Sequence, residues 1–292
     1  MSAPREMTEA RKLQLSRAMS VYELYERTMA RAADWGRTDR YPTAWAQFDK
    51  YLYGGFGRKT GGDLVVIAGE TKIGKSTFAA NIAMRIAQSG EQVEYIPLEN
   101  DYEDTCTMLA KAGGEKNLLN YKDLLYLPDE ELINGDEAWN AEDLILHMEH
   151  MVEAWHIKVF VLDHLNYMFE NEEQVKDELH RVRVIMRKLR QFCKRHQAVV
   201  LAISHMNKGE SKTQAKVDKP NLNRIYGSQA IAGTSTKVIL VTQGESCIGR
   251  DGKQRRMVEV KLERSSYTPN QSDWFAFDAT DTQWLEEGVK LI

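Results

Sequence analysis

No apolar run in this chain approaches the roughly 18 residues that cross a bilayer as a helix. Met1 to Asp34 carries too many charges for a signal peptide. Both absences point to a cytoplasmic protein, in the host cytoplasm if the source is viral, with no membrane partner. Cysteine is scarce: Cys106, Cys193 and Cys247 lie far apart without C-x-x-C spacing. That pattern suits free thiols in a reducing compartment rather than a zinc module. His147 and His150 fall on one helix face, where surface histidines are a better reading than a metal pair. Positive charge is not in excess, since 39 Lys and Arg face 43 Asp and Glu, for a net charge of −4. Any nucleic-acid contact must therefore come from local basic patches. Internal repeats and low-complexity tracts are missing too. What remains is ordinary globular composition, 42% apolar and 28% charged, in 292 residues, enough for one large domain or two small ones around a substantial core.

What the chain does have is "VVIAGETKIGKSTFAANIAMRIA". Leu64–Ala68 is a short apolar strand candidate, and Phe78, Ala79, Ile82, Ala83 and Ile86 recur at helical spacing. Between them, Gly69, Glu70, Thr71, Lys72, Ile73, Gly74, Lys75, Ser76 and Thr77 fit G-x-x-x-x-G-K-S/T. A glycine-bearing turn at a helix N-terminus aims backbone N–H groups and the positive end of the helix dipole at one point. In that spacing Lys75 reaches the β- and γ-phosphates and the Ser76 hydroxyl ligates Mg²⁺, so ATP or another NTP or dNTP binds here.

Thr8 to Trp35 reads as one amphipathic helix, with Leu13, Leu15, Met19, Tyr22, Leu24 and Met29 among alternating charges. It precedes a Gly/Pro-rich connector, Trp35 to Gly62, so residues 1–40 are read as a helix and linker for subunit docking and 41–292 as the main domain. Strand candidates are Leu64–Ala68, Val93–Leu98, Lys158–Leu162, Val199–Ile203 and Lys237–Thr242. An antiparallel finish follows at Arg256–Glu263 and Trp274–Asp278. Helices are expected over Lys75–Ser89, Tyr102–Ala112, Ala141–Trp155 and Val175–His196. Apolar strands alternating with amphipathic helices predict an α/β fold, a mostly parallel central sheet flanked by helices, with an N-terminal helical extension.

Several polar residues end these strands. Asp163 closes "VFVLD", where a phosphate-loop protein holds Mg²⁺. Glu99 closes "EYIPLE", where a carboxylate can position and polarise an attacking water; a plain turn carboxylate is the alternative. His205 closes "VVLAISH" as a γ-phosphate sensor or a satisfied core histidine. The segment Asn207–Arg224 then sets Lys208, Lys212, Lys216, Lys219 and Arg224 against Glu210 and Asp218, a charge pattern suited to a phosphodiester backbone or to plain solvation. Lys261 and Arg264 mark the tip of an extended segment, either an arginine finger reaching a neighbouring subunit's triphosphate or a surface turn.

Taken in order, these segments resemble the RecA-like motor domain of hexameric replicative helicases, the DnaB-like superfamily, and within it the helicase half of phage primase–helicases and of mitochondrial Twinkle. The likeness spans about Tyr41 to Leu285. "YPTAWAQFDKYLYGGF" is similar to the family's P-T-G-F-x-x-L-D lead-in, with Thr43, Phe48 and Asp49 matching, and "YIPLEN" to the F-S-L-E-M motif whose glutamate activates water. "AISHMNK" resembles the phage form in which a histidine replaces a glutamine, and "IYGSQAIAG" the R-G-S-G-A-L segment, with Tyr226 in place of the arginine. "KLERSSYT" resembles the K-x-R-x-x-G tip but is one residue longer. The resemblance implies a homo-oligomeric ring, a hexamer, that threads single-stranded DNA and hydrolyses nucleotide to move along it. The catalytic site would then join Lys75, Ser76, Glu99 and Asp163 of one protomer to Arg264 of the next. No primase, zinc-binding or collar segment is recognisable, so such a motor would work with a separate primase or loader. Two other readings share the phosphate loop: a RecA-type ATPase of strand annealing and recombination, and an ATP-binding regulatory ring of the KaiC type.

Overall fold

The computed structural model describes residues 20, 22, 40–57, 61–114, 120–129, 139–170, 178–206, 219–225, 228–249, 251–266 and 270–290. Apart from Ser20 and Tyr22, the helix expected over Thr8–Trp35 lies outside them, as do Lys208, Lys212, Lys216 and Tyr226. The chain divides into two units, Met1–Asp39 and Arg40–Ile292.

Its elements run α1 (Ala46–Tyr51), β1 (Asp63–Gly69), α2 (Lys75–Gln88), β2 (Val93–Pro97), α3 (Tyr102–Gly113), β3 (Leu125–Tyr126) and α4 (Ala141–Trp155). They continue with β4 (Val159–Asp163), α5 (Leu165–Glu170), α6 (Glu178–His196), β5 (Val199–His205), α7 (Ser228–Thr234), β6 (Lys237–Gln243), β7 (Cys247–Ile248), β8 (Gln254–Arg255), β9 (Met257–Ser265), β10 (Trp274–Asp278) and β11 (Leu285–Lys290). A nine-stranded sheet has the order β11-β10-β9-β6-β1-β5-β4-β2-β3. From β6 through β3 every pairing is parallel, and β9, β10 and β11 add an antiparallel meander. The expected α/β architecture is therefore present.

The central strands are buried along their whole length because both sheet faces are covered, which is why they read as mostly apolar runs, with Glu94 in β2 a buried exception. One face packs Val65, Ile67 and Ile203 against α2, and the other packs Val66, Phe160 and Val200 against α6 and α4. The lead-in segment belongs to the first face. Phe48 stacks among Trp45, Phe78, Phe275 and Phe277, with its ring 4.9 Å from that of Phe277. Asp49 accepts bonds from the Thr43 backbone N–H at 2.9 Å and hydroxyl at 2.8 Å, which fixes the turn into α1. The Thr43, Phe48 and Asp49 pattern is thus a structural clasp joining the start of the unit to the meander.

Sequence reading missed α1, β3, α5, α7, β7, β8 and β11. Helix α1 is six residues long, too short to display a period. Strand β11, "LEEGVK", is an edge strand with solvent on one side and a glycine at positive φ, so it carries little apolar signal. His147 also differs from expectation: it is not a surface histidine, since its Nε2 lies 2.7 Å from the fully buried Glu94 carboxylate on β2.

Candidate nucleotide-binding site

Strand β1 ends at Gly69, where a Cβ would lie 2.6 Å from the Val241 carbonyl, so only glycine lets the chain leave the sheet here. Further along the turn Gly74, at φ 105°, reverses the chain and becomes the N-cap of α2. It offers no side chain to the first helical turn. The unsatisfied N–H groups and the dipole of α2 therefore face outward over the turn, ready for an anion.

Lys75 is buried beneath that turn. Its Nζ donates to the Glu70 carbonyl at 2.9 Å and lies 3.2 Å from His205 Nδ1. Burial pulls its pKa down to about 8, against the opposing pull of Asp163, Glu99 and Glu70. The neighbouring strand ends supply the rest, because parallel strands deliver their C-termini to one edge. Gly69 is in register with His205 on β5, and Pro97 of β2 with Asp163 on β4. Asp163 is 1% exposed and accepts hydrogen bonds from Tyr95 Oη at 2.6 Å and Asn100 Nδ2 at 3.2 Å. Burial raises its pKa, while hydrogen bonds from Tyr95 and Ser76 favour the carboxylate. A serine hydroxyl and a carboxylate in contact form a hard-oxygen donor pair, the chemistry that Mg²⁺ takes.

Glu99 follows β2 with its side chain half-exposed. Its Oε2 meets His164 Nε2 and lies 3.8 Å from His205 Nε2. His205 is held through its backbone N–H, which donates to Asn166 Oδ1 at 3.1 Å. Burial first, then the Lys75 charge, lowers its pKa to about 4, so its imidazole is neutral. All these groups open on one cavity of about 390 Å³, lined by Thr71, Lys72, Gly74 to Thr77, Glu99, Asn100, Asp163, His164, His205 and Arg256. Drug-sized and cofactor-sized ligands occupy cavities of about this size.

The structure thus brings Lys75, Ser76, Glu99, Asp163 and His205 together. It does not bring Arg264 to them. Arg264 pairs with Val238, itself level with Val66, about 10 Å back along the sheet from Gly69 and two strands aside. The extra residue in "KLER" is a bulge: Val238 answers Arg264 and Ile239 answers Leu262, which leaves Glu263 over. A bulge restores the facing that an inserted residue would reverse, so Lys261 and Arg264 share a side. Of the basic segment, Lys219 donates to Glu259 at 3.1 Å and sits over the Trp274 ring, and Arg224 donates to Glu70 of the phosphate turn at 2.6 Å.

Sequence reading passed over Tyr95, Asn100, His164, Asn166 and Arg256. His164 was within reach, being the residue after Asp163 at a strand end. Arg256, whose Nη2 donates to the Ile73 carbonyl at 3.3 Å, comes from 183 residues downstream and leaves no local mark.

The family model for the DnaB-like helicase C terminal domain matches residues 41–282. Replicative DNA helicase DnaB of Geobacillus stearothermophilus is 19% identical over 250 residues, 80% of this chain and 54% of that protein. Replicative DNA helicase DnaC of Bacillus subtilis (strain 168) is 20% identical over 245 residues, 78% and 52%. The chain thus spans about half the length of the curated relatives it matches. Among solved structures, a DnaB-like replicative helicase studied with primase has a TM-score of 0.70 at 15% identity, covering 94% of this chain and 69% of that one. A KaiC-like protein of Pyrococcus horikoshii OT3 scores 0.58 at 17% identity, covering 84% and 95%. The fold is RecA-like, and with a family match over most of its length this chain belongs to the DnaB-like helicase C terminal domain family.

Proposed function

We propose that the protein is a P-loop NTP hydrolase acting as a DNA helicase motor in replication, a homo-oligomeric ring that moves along single-stranded DNA. The observation that carries this reading is the convergence of Lys75, Ser76, Asp163, Glu99 and His205 on one cavity at the C-terminal ends of adjacent parallel strands.

Each group has a task that follows from its chemistry. The first turn of α2 and Lys75 cradle the β- and γ-phosphates. Ser76 and Asp163 would hold Mg²⁺, which when bound would neutralise charge on the phosphate oxygens. Glu99 is exposed enough to meet a water and close enough to the cavity to align it on the γ-phosphate. Neutral His205, which touches Lys75, would read whether the γ-phosphate is there, since a phosphate competes with the imidazole for the ammonium. The signal has a short road outward. His205 precedes Met206, which pairs with Ile225 across the neck of the basic segment, and Arg224 grips Glu70 of the phosphate turn. Lys208, Lys212, Lys216, Lys219 and Arg224 form the DNA-facing set in this reading, and Arg264 completes the site of the adjacent protomer. A separate primase or loader would serve it, as primase interacts with the DnaB-like helicase of similar fold.

The regulatory-ring reading draws on the KaiC-like fold, but a water-accessible carboxylate beside a magnesium pair favours turnover. A forked-duplex assay with each overhang tested separately decides among the readings. Strand separation with one polarity, lost in Lys75→Ala, is the expected result. Annealing without unwinding would replace the motor by the recombination ATPase. Glu99→Gln is expected to bind nucleotide and slow its hydrolysis at least about a hundredfold, the lower range for losing a general base; normal single-turnover rates would move the role to another residue.

A further inference from the structure

Glu99, His164 and His205 are the residues whose arrangement exceeds what the motor needs. Among the described residues, one group of three His, Cys, Asp or Glu side chains offers donor atoms that all lie within 4.8 Å of one another, and it is this one. The imidazole rings of His164 and His205 stand edge to face with centroids 4.1 Å apart. His164 is 7% exposed, and neither of its ring nitrogens completes a directed hydrogen bond. Its Nε2 instead meets the Glu99 carboxylate. That leaves Nδ1 buried without a partner, and a buried imidazole nitrogen is costly unless something satisfies it.

We propose that Glu99, His164 and His205 form a second cation site, for a borderline-soft divalent ion of the Zn²⁺ class, separate from the Ser76–Asp163 magnesium position. Two imidazoles and one carboxylate are the donor set that Zn²⁺, Co²⁺ and Ni²⁺ prefer, whereas Mg²⁺ takes oxygen ligands. Zinc bonds of about 2.0–2.2 Å set tetrahedral ligand atoms about 3.4 Å apart, and the observed spacing reaches this with small side-chain rotations. The half-exposed Glu99 supplies most of that movement and an open path for entry. Three protein ligands leave a fourth position for water, facing the cavity. Binding at His205 Nε2 moves the ring proton to Nδ1, so the Lys75 contact is released while Lys75 keeps the Glu70 carbonyl. A metal here removes Glu99 and His205 from their tasks at the γ-phosphate, so zinc acts as a brake on hydrolysis.

The site shares Glu99 and His205 with the proposed hydrolysis, and its test is independent of whether strand separation is the motor's task. Zn²⁺ added alone to the full chain, followed by titration calorimetry, is expected to show one ion per protomer. Co²⁺ in its place is expected to give visible d–d bands without a thiolate charge-transfer band. His164→Gln and His205→Gln, each with unchanged far-ultraviolet circular dichroism, are each expected to weaken Zn²⁺ at least about tenfold, on the scale of a lost metal-site interaction. Absence of Zn²⁺ binding overturns the site. So does a thiolate band, which places the ion on Cys106 or Cys247, or undiminished affinity in both variants.

Discussion

In the proposed motor, Lys75 carries both recognition and a readable signal. It is pressed under the phosphate turn, where burial lowers its pKa to about 8. A triphosphate replaces the desolvated surroundings with negative charge, which favours the ammonium and moves the pKa back up. The sign follows. Near pH 8 the free protein has lost about half a proton from Lys75, and binding takes it back. Nucleotide binding at pH 8 is therefore expected to take up about half a proton per site and to weaken as pH rises further. Calorimetry in buffers of differing ionisation enthalpy measures this directly, and Lys75→Met is expected to abolish the uptake. Uptake that persists in the variant would assign the proton to another group. This part of the site was legible in the sequence because the phosphate turn is built from consecutive residues whose spacing carries the chemistry. Asp163 and His205 were legible because each directly ends an apolar run. Tyr95, which donates to Asp163 from within β2, was not, since inside a strand its hydroxyl looks like any buried aromatic. Arg256 was not because only tertiary folding brings it to Gly74.

At the level of elements, the sheet is held at the end away from the nucleotide by an ion pair. Lys237 at the start of β6 donates to Asp63 at the start of β1 at 2.9 Å, with both side chains 1% exposed or less. A buried pair adds little over an apolar replacement, but removing one partner strands the other charge. Lys237→Met is expected to destabilise the protein by about 3–5 kcal/mol, and Asp63→Asn added to it to recover a substantial part. Denaturant unfolding of the single and double variants checks this, and equal stability of Lys237→Met and the parent chain would show that the Asp63 charge finds another partner. The same contrast explains which elements the sequence reveals. Strands β1, β4 and β5 are covered on both faces and announce themselves as apolar runs. Strand β9 was anticipated, but its bulge at Glu263 was not, because a register skip is fixed by the partner strand β6 and not by the residues that bulge.

For the whole molecule, the arrangement of Arg264 matters most. The cavity gathers Lys75, Ser76, Asp163 and Glu99 from one chain, yet Arg264 lies on β9, beyond β6 from the phosphate turn. A tip so placed serves a triphosphate only when a second copy brings its own cavity to it, which in a closed ring happens at every interface. That makes the shared site testable by mixing two inactive proteins. Lys75→Ala lacks the phosphate grip and keeps its tip; Arg264→Ala keeps the grip and lacks the tip. In an equimolar, freely exchanging ring, roughly one quarter of the interfaces pair an intact Lys75 with an intact Arg264. DNA-stimulated hydrolysis is therefore expected to reappear on mixing, at a level well above the sum of the two variants. If each chain completed its own site, no interface would be restored and the mixture would stay as inactive as its components. A mixture that remains silent while energy transfer between differently labelled variants reports full subunit exchange removes Arg264 from the neighbouring protomer's site.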